Sequence, residues 1–133
     1  MIVADTNTIA YLLLGGERTF QAEKVLRKDP AWVAPLLWRS EFRSVIALYL
    51  RRGFVSLAQA LQLTEEAETL MRGGEYEVTS SRVLNLVAAS RCSAYDCEFV
   101  ALAQELGVPL ITSDSRILSE FPSTALSIED FAS

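Results

Sequence analysis

There is no histidine among the 133 residues. That absence excludes Ser-His-Asp and Cys-His catalysis, His-ligated zinc and any imidazole acid–base step. Cysteine is nearly absent as well. Cys92 and Cys97 are too few for a disulfide scaffold and read as reduced, half-buried thiols on or just before one helix. No apolar run approaches the ~18–20 residues that span a bilayer, and no basic segment precedes an apolar one at the N-terminus. Neither a membrane anchor nor a secretory signal is therefore expected, and the chain reads as cytoplasmic. Lysine occurs only at Lys24 and Lys28, so ten of the twelve cations are arginine, the better fork for phosphate and carboxylate. With a net charge of −5 and a pI near 4.7, this is not a generic nucleic-acid coat, which would be basic. The remaining chemistry must run on carboxylates, hydroxyls, thiols or a metal held by oxygen.

Half of the residues are hydrophobic, ample for one core, and the length suits a single domain over residues 1–133. Met1-Ile2-Val3-Ala4 reads as a buried strand that turns into a helix through Asp5-Thr6-Asn7-Thr8, with Gly15-Gly16 as its stop. A surface helix is expected over 17–28, a second strand over 32–34, and a long amphipathic helix from about Leu36 to Arg52. Further helices are expected from Ser56 to Met71, from Ser80, and from Ser93 to the stop at Gly107. Further strands are expected over 76–79, 108–112 and 125–128, with a brief helix after Asp114. This order gives a helix-rich α/β domain: a parallel sheet covered by helices on both faces.

Four acids stand out against that frame. Asp5 and Asp114 follow apolar strands, and the carboxyl ends of parallel strands share one edge, where open α/β sheets place their ligands. Asp96 lies at the mouth of a core helix, on the same face as Phe99, Val100 and Ala103. Glu41 sits between Trp38 and Val45, at the edge of the apolar side of its helix. Taken singly, each aspartate also suits a helix cap, and Glu41 a rim pair with Arg39 or Arg43. Capping does not explain their common location. Carboxylates crowded together repel unless a cation compensates, and Mg²⁺ or Mn²⁺ prefers such hard oxygen donors. The associated chemistry is metal-assisted hydrolysis, and bound ions would let an acidic site take an anionic substrate.

In Ile2-Val3-Ala4-Asp5-Thr6-Asn7, in Glu41, in Tyr95-Asp96 with Ala101-Leu102-Ala103, and in Thr112-Ser113-Asp114, the chain resembles the PIN domains over essentially its full length. More narrowly, it resembles the VapC-type toxin ribonucleases of toxin–antitoxin pairs. The resemblance implies a three-layer α/β/α sandwich around a parallel sheet of four to five strands. It also implies Mg²⁺- or Mn²⁺-dependent endonucleolytic cleavage of RNA. Asp5, Glu41 and Asp96 would be the primary metal ligands and Asp114 a direct or water-mediated one, the four forming the catalytic set. Asn7 and Thr112 would orient the carboxylates. A homodimer is implied, as is an antitoxin partner whose C-terminal segment lies across the active-site groove. Phe99 departs from the family by replacing a tyrosine, which removes a hydroxyl and keeps the ring. Arg39, Arg43, Arg91 and Arg116 are candidates for contact with the RNA backbone.

Two other readings stay open on sequence. Asp5-Thr6-Asn7-Thr8 loosely resembles the start of haloacid-dehalogenase-like phosphatases with an aspartate nucleophile, although those rely on a late lysine and none follows Lys28. A catalytically lapsed PIN-like interaction module is the other. It would be expected to lose one or more of the four acids.

Overall fold

Ile2, Val3 and Ala4 have no polar side chain to offer water, and all three are buried as strand β1 (Ile2–Ala4) in the middle of the sheet. The computed structural model describes residues 1–133. After β1 come α1 (Thr6–Leu14), α2 (Thr19–Lys28), β2 (Trp32–Pro35), α3 (Leu37–Arg51), α4 (Leu57–Leu70) and β3 (Glu75–Tyr76). They are followed by α5 (Ser80–Ala88), α6 (Ala94–Leu106), β4 (Leu110–Thr112), α7 (Ser115–Glu120), β5 (Ala125–Ser127) and α8 (Ile128–Ala132). All five strands are parallel, in the order β3-β2-β1-β4-β5. The chain therefore runs outward from β1 to β3 and returns across the sheet to β4. The right-handed rule for parallel crossovers puts α1 to α4 on one face and α5 to α7 on the other, in keeping with the packing of α1 on α2, α3 and α4 and of α5 on α6. The direction reverses between β1 and β4, so their carboxyl ends flank a crevice of the kind in which open α/β sheets hold ligands.

One continuous cluster of 28 buried residues fills both interfaces. On one face Trp38 and Phe42 of α3 meet edge to face, with ring centroids 5.9 Å apart, worth about 0.5–1.5 kcal/mol beyond their burial. On the other, α6 buries Cys97 and the whole run Phe99–Ala103, because it lies directly on β1, β2 and β4. No helix is long and apolar enough to cross a membrane.

Three of the boundaries that differ from the sequence expectation have a clear local reason. The third strand is Glu75–Tyr76, not 76–79, because β3 pairs only with β2, whose last strand residue is Pro35. Proline brings no N–H to extend the ladder, and Leu36 closes it by donating to the Tyr76 carbonyl at 3.0 Å. The fourth strand starts at Leu110 because the Val108 N–H is spent on the Ala103 carbonyl, closing α6 behind Gly107 in the left-handed conformation. The fifth ends at Ser127, whose hydroxyl accepts from the Asp130 N–H and starts α8, a helix the expected strand had overlapped.

Candidate active site

Asp5 stands immediately after β1 and caps α1. Its Oδ1 accepts from the Thr8 N–H at 2.9 Å and the Thr8 hydroxyl at 2.7 Å, while its Oδ2 accepts from the Thr112 hydroxyl. Both oxygens are thus held, and the residue is buried. Burial pushes its carboxyl above the ordinary range. The bonds from Thr112 and Thr8 pull it back, and the Asp114 charge adds to the rise. Thr112 is itself fully buried at the end of β4. Its oxygen also accepts the Asp114 N–H at 3.0 Å, so one hydroxyl ties two of the acids together. Asp114 is exposed and caps α7, its Oδ1 accepting from the Ile117 N–H at 2.9 Å.

Glu41 and Asp96 arrive on helices from opposite faces of the sheet. Glu41 is half-buried on α3 and accepts from the Thr6 hydroxyl at 2.8 Å. It makes no pair with Arg39 or Arg43, so the rim ion pair is ruled out. Burial raises its carboxyl, the Thr6 bond opposes this, and the charges of Asp96, Asp5 and Glu98 reinforce it. Asp96 is half-buried in the first turn of α6, where its N–H donates to the Ser93 hydroxyl at 3.1 Å. Its carboxyl is raised by burial and then by Asp114, with Ser93 and Arg116 pulling the other way. Capping and clustering are therefore compatible. Asp5 and Asp114 cap helices at the same edge where Glu41 and Asp96 project.

All four acids line one cleft of about 260 Å³, together with Thr6, Asn7 and Phe99. Asn7 is exposed there and hydrogen-bonds to none of the acids. No three carboxylates or thiols converge into a closed metal cage. Mg²⁺ needs no such cage, since it keeps several waters and takes one or two carboxylates directly. The donor set is all hard oxygen, with Asp5, Glu41 and Asp96 held above their ordinary range, and it fits Mg²⁺ or Mn²⁺.

Among the four arginine candidates, Arg39 forks onto Glu75 through bonds of 2.5 and 2.8 Å, and Arg91 binds Glu120 at 2.8 Å. Neither lines the cleft, and Arg43 is exposed and unpaired. Sequence reasoning missed Thr6 and Thr8. Thr8 had a local signal, a hydroxyl three residues after the Asp5 cap. Thr6 had none, because its partner lies 35 residues away.

The PIN domain family model matches residues 2–122. Ribonuclease VapC3 of Pyrobaculum aerophilum is 26% identical over 124 residues, covering 91% of this chain and 95% of that protein. The crystal structure of PAE2754 from Pyrobaculum aerophilum superposes with a TM-score of 0.78 at 17% identity, covering 98% of this chain and 92% of that one. A toxin–antitoxin complex from Klebsiella pneumoniae gives a TM-score of 0.70 at 20% identity, with coverage of 96% and 98%. These two structural likenesses bear on the fold.

Proposed function

Because this chain belongs to the PIN domain family, we propose that it is a Mg²⁺- or Mn²⁺-dependent endoribonuclease, the toxin of a toxin–antitoxin pair. The observation that carries the reading is the convergence of Asp5, Glu41, Asp96 and Asp114 on one cleft with no cation in its lining. The name of the VapC3 relative supports RNA as substrate, and the Klebsiella complex supports an antitoxin partner.

Asp5, Glu41 and Asp96 would hold the ion, with Asp114 binding directly or through water. Bound there, the ion would supply Lewis acidity, lowering the pKa of water and offsetting charge on the phosphoryl oxygens. The chain's own part is orientation. Thr112 and Thr8 fix both oxygens of Asp5, Thr6 fixes one oxygen of Glu41, and Asn7 lies free in the cleft to meet substrate or water. No lysine lines the cleft to play the part on which such phosphatases rely, which argues against Asp5 as a phosphoryl-accepting nucleophile. A homodimer, and an antitoxin segment placing an Arg or Lys between Glu41 and Asp96, complete the proposal.

The test is cleavage of a panel of structured and single-stranded RNAs by the purified protein in Mg²⁺, Mn²⁺ or EDTA, beside Asp96→Asn, with a Mn²⁺ titration. Metal-dependent cutting lost in Asp96→Asn is expected. A protein that neither cuts RNA nor binds Mn²⁺ overturns the nuclease and leaves an interaction module.

A further inference from the structure

Not one of the ten arginines or two lysines lines the four-acid cleft. A polyanionic strand entering it meets repulsion everywhere except where metal is bound, so a guanidinium at the lip acquires unusual weight. Arg116 occupies that lip. It lies on α7 between Asp114, which caps the helix, and Ile117, which is buried, and both of these neighbours form the cleft wall.

Two observations leave its charge uncommitted. Glu120, the nearby acid on the same helix, is taken by Arg91, whose N–H and Nε both donate to Glu120 Oε1, at 3.1 and 2.8 Å. Arg116 has no carboxylate within ion-pair distance, and the one hydrogen bond of its guanidinium is a long one, 3.5 Å from Nη1 to the Arg91 carbonyl. That bond sets the guanidinium beside the Arg91 carbonyl, just ahead of the start of α6, and leaves its remaining N–H groups free. Its charge is among the influences that draw the Asp96 carboxyl downward.

We propose that Arg116 is the phosphate grip of the site: it binds an RNA backbone phosphate adjoining the one presented to the acids, on the α6–α7 lip. The inference rests on the nuclease reading and deepens it by giving the strand a path. Arginine suits the task because its planar fork takes phosphate in two parallel bonds.

The experiment is fluorescence anisotropy of a labelled, mixed-sequence, short single-stranded RNA over a KCl series, with Ca²⁺ replacing Mg²⁺ to hold the strand uncut. Wild type is compared with Arg116→Gln, Arg116→Lys and the control Arg43→Gln, and kcat and KM are measured in Mg²⁺. Arg116→Gln should weaken binding about tenfold and lower the slope of log K against log salt by about 0.7, the loss of one phosphate contact on a single strand. KM should rise with kcat nearly constant, Arg116→Lys should restore part of the loss, and Arg43→Gln should match wild type. Unchanged affinity and salt slope in Arg116→Gln would overturn the grip while leaving the nuclease standing, as would an equal loss in Arg43→Gln. A fall in melting temperature without a change in slope would make Arg116 a tie between α6 and α7. Wild type that neither binds nor cuts the RNA overturns both readings.

Discussion

Replacing Thr112 by valine keeps the shape of a fully buried side chain and deletes one hydroxyl, the one that donates to Asp5 Oδ2 and accepts the Asp114 N–H. A hydrogen bond to a charged group is worth about 1.5–3 kcal/mol, and the orphaned Asp114 N–H adds about 1 kcal/mol of lost solvation. The extra methyl returns somewhat under ~1 kcal/mol. A net loss of about 2–3 kcal/mol is expected near neutral pH. Its pH dependence is the sharper signature. The Thr112 bond lowers the Asp5 carboxyl, so it favours the charged form. Its contribution is present above the folded pKa of Asp5 and fades as pH falls through it, leaving about 1 kcal/mol for the neutral bond. Urea unfolding of metal-free protein, near neutrality and near about pH 4, reads both numbers. Thr112→Ser, which loses a methyl and keeps the hydroxyl, should cost about 0.5–1.5 kcal/mol at either pH. The valine variant should also bind Mg²⁺ about 10–100-fold more weakly, because Asp5 loses its fixed orientation. A valine deficit equal at the two pH values, or a serine variant as damaged as the valine one near neutrality, would refute this reasoning.

The metal-free Asp96→Asn protein should melt no earlier than wild type, since it sheds a half-buried charge facing Asp114; calorimetry showing a clear loss would mean that its carboxylate serves mainly the helix start. Asp5, Glu41 and Asp96 all have raised pKa values, so their contributions to stability are full below the ordinary carboxyl range and lost as pH rises through the shifted ones. The gain in Tm on adding Mg²⁺ should accordingly grow from small near about pH 4 to several degrees near neutrality; a gain independent of pH would contradict it. At Gly74 an added Cβ would stand 2.5 Å from the Trp32 carbonyl and 3.3 Å from the Val33 side chain, so Gly74→Ala should lose about 1–3 kcal/mol in urea unfolding. Unaltered stability there would show that β2 and the turn before β3 yield more easily than this packing implies.

The alternation of strands and helices was readable because the signals were strong and local: Ile2-Val3-Ala4 before Asp5, the stripe through Trp38, Phe42 and Ile46, and Gly107 behind α6. The four acids had local signals too: Asp5 and Asp114 follow apolar strands, Asp96 opens a core helix, and Glu41 borders an apolar stripe. What escaped was set by distant partners. Thr6 looks like any first-turn threonine until α3 brings Glu41 against it, and Arg39 looks like a free cation until β3 presents Glu75. The extent of β3 depends on the end of its neighbour at Pro35. The α8 helix is a different kind of miss, since Ser127 with Asp130 three residues on is a recognisable start outweighed by the apolar character of Ala125–Ile128.

The acids come in two pairs of unlike mounting. Asp5 and Asp114 hang from neighbouring strands and share the Thr112 hydroxyl, so their separation is set by the hydrogen-bond ladder of the sheet. Glu41 and Asp96 ride on helices from opposite layers, so the gap between them, and from each to the strand pair, is a property of how α3 and α6 seat on the core. The molecule behaves as a calliper with one fixed jaw and one adjustable one. A methylene gained or lost under Phe42 or Val100 would shift the seat of α3 or α6 and with it the bite of the cleft. Under the metal-ion reading proposed above, chain divergence in that core would retune which ion the acids prefer while every carboxylate stays in place.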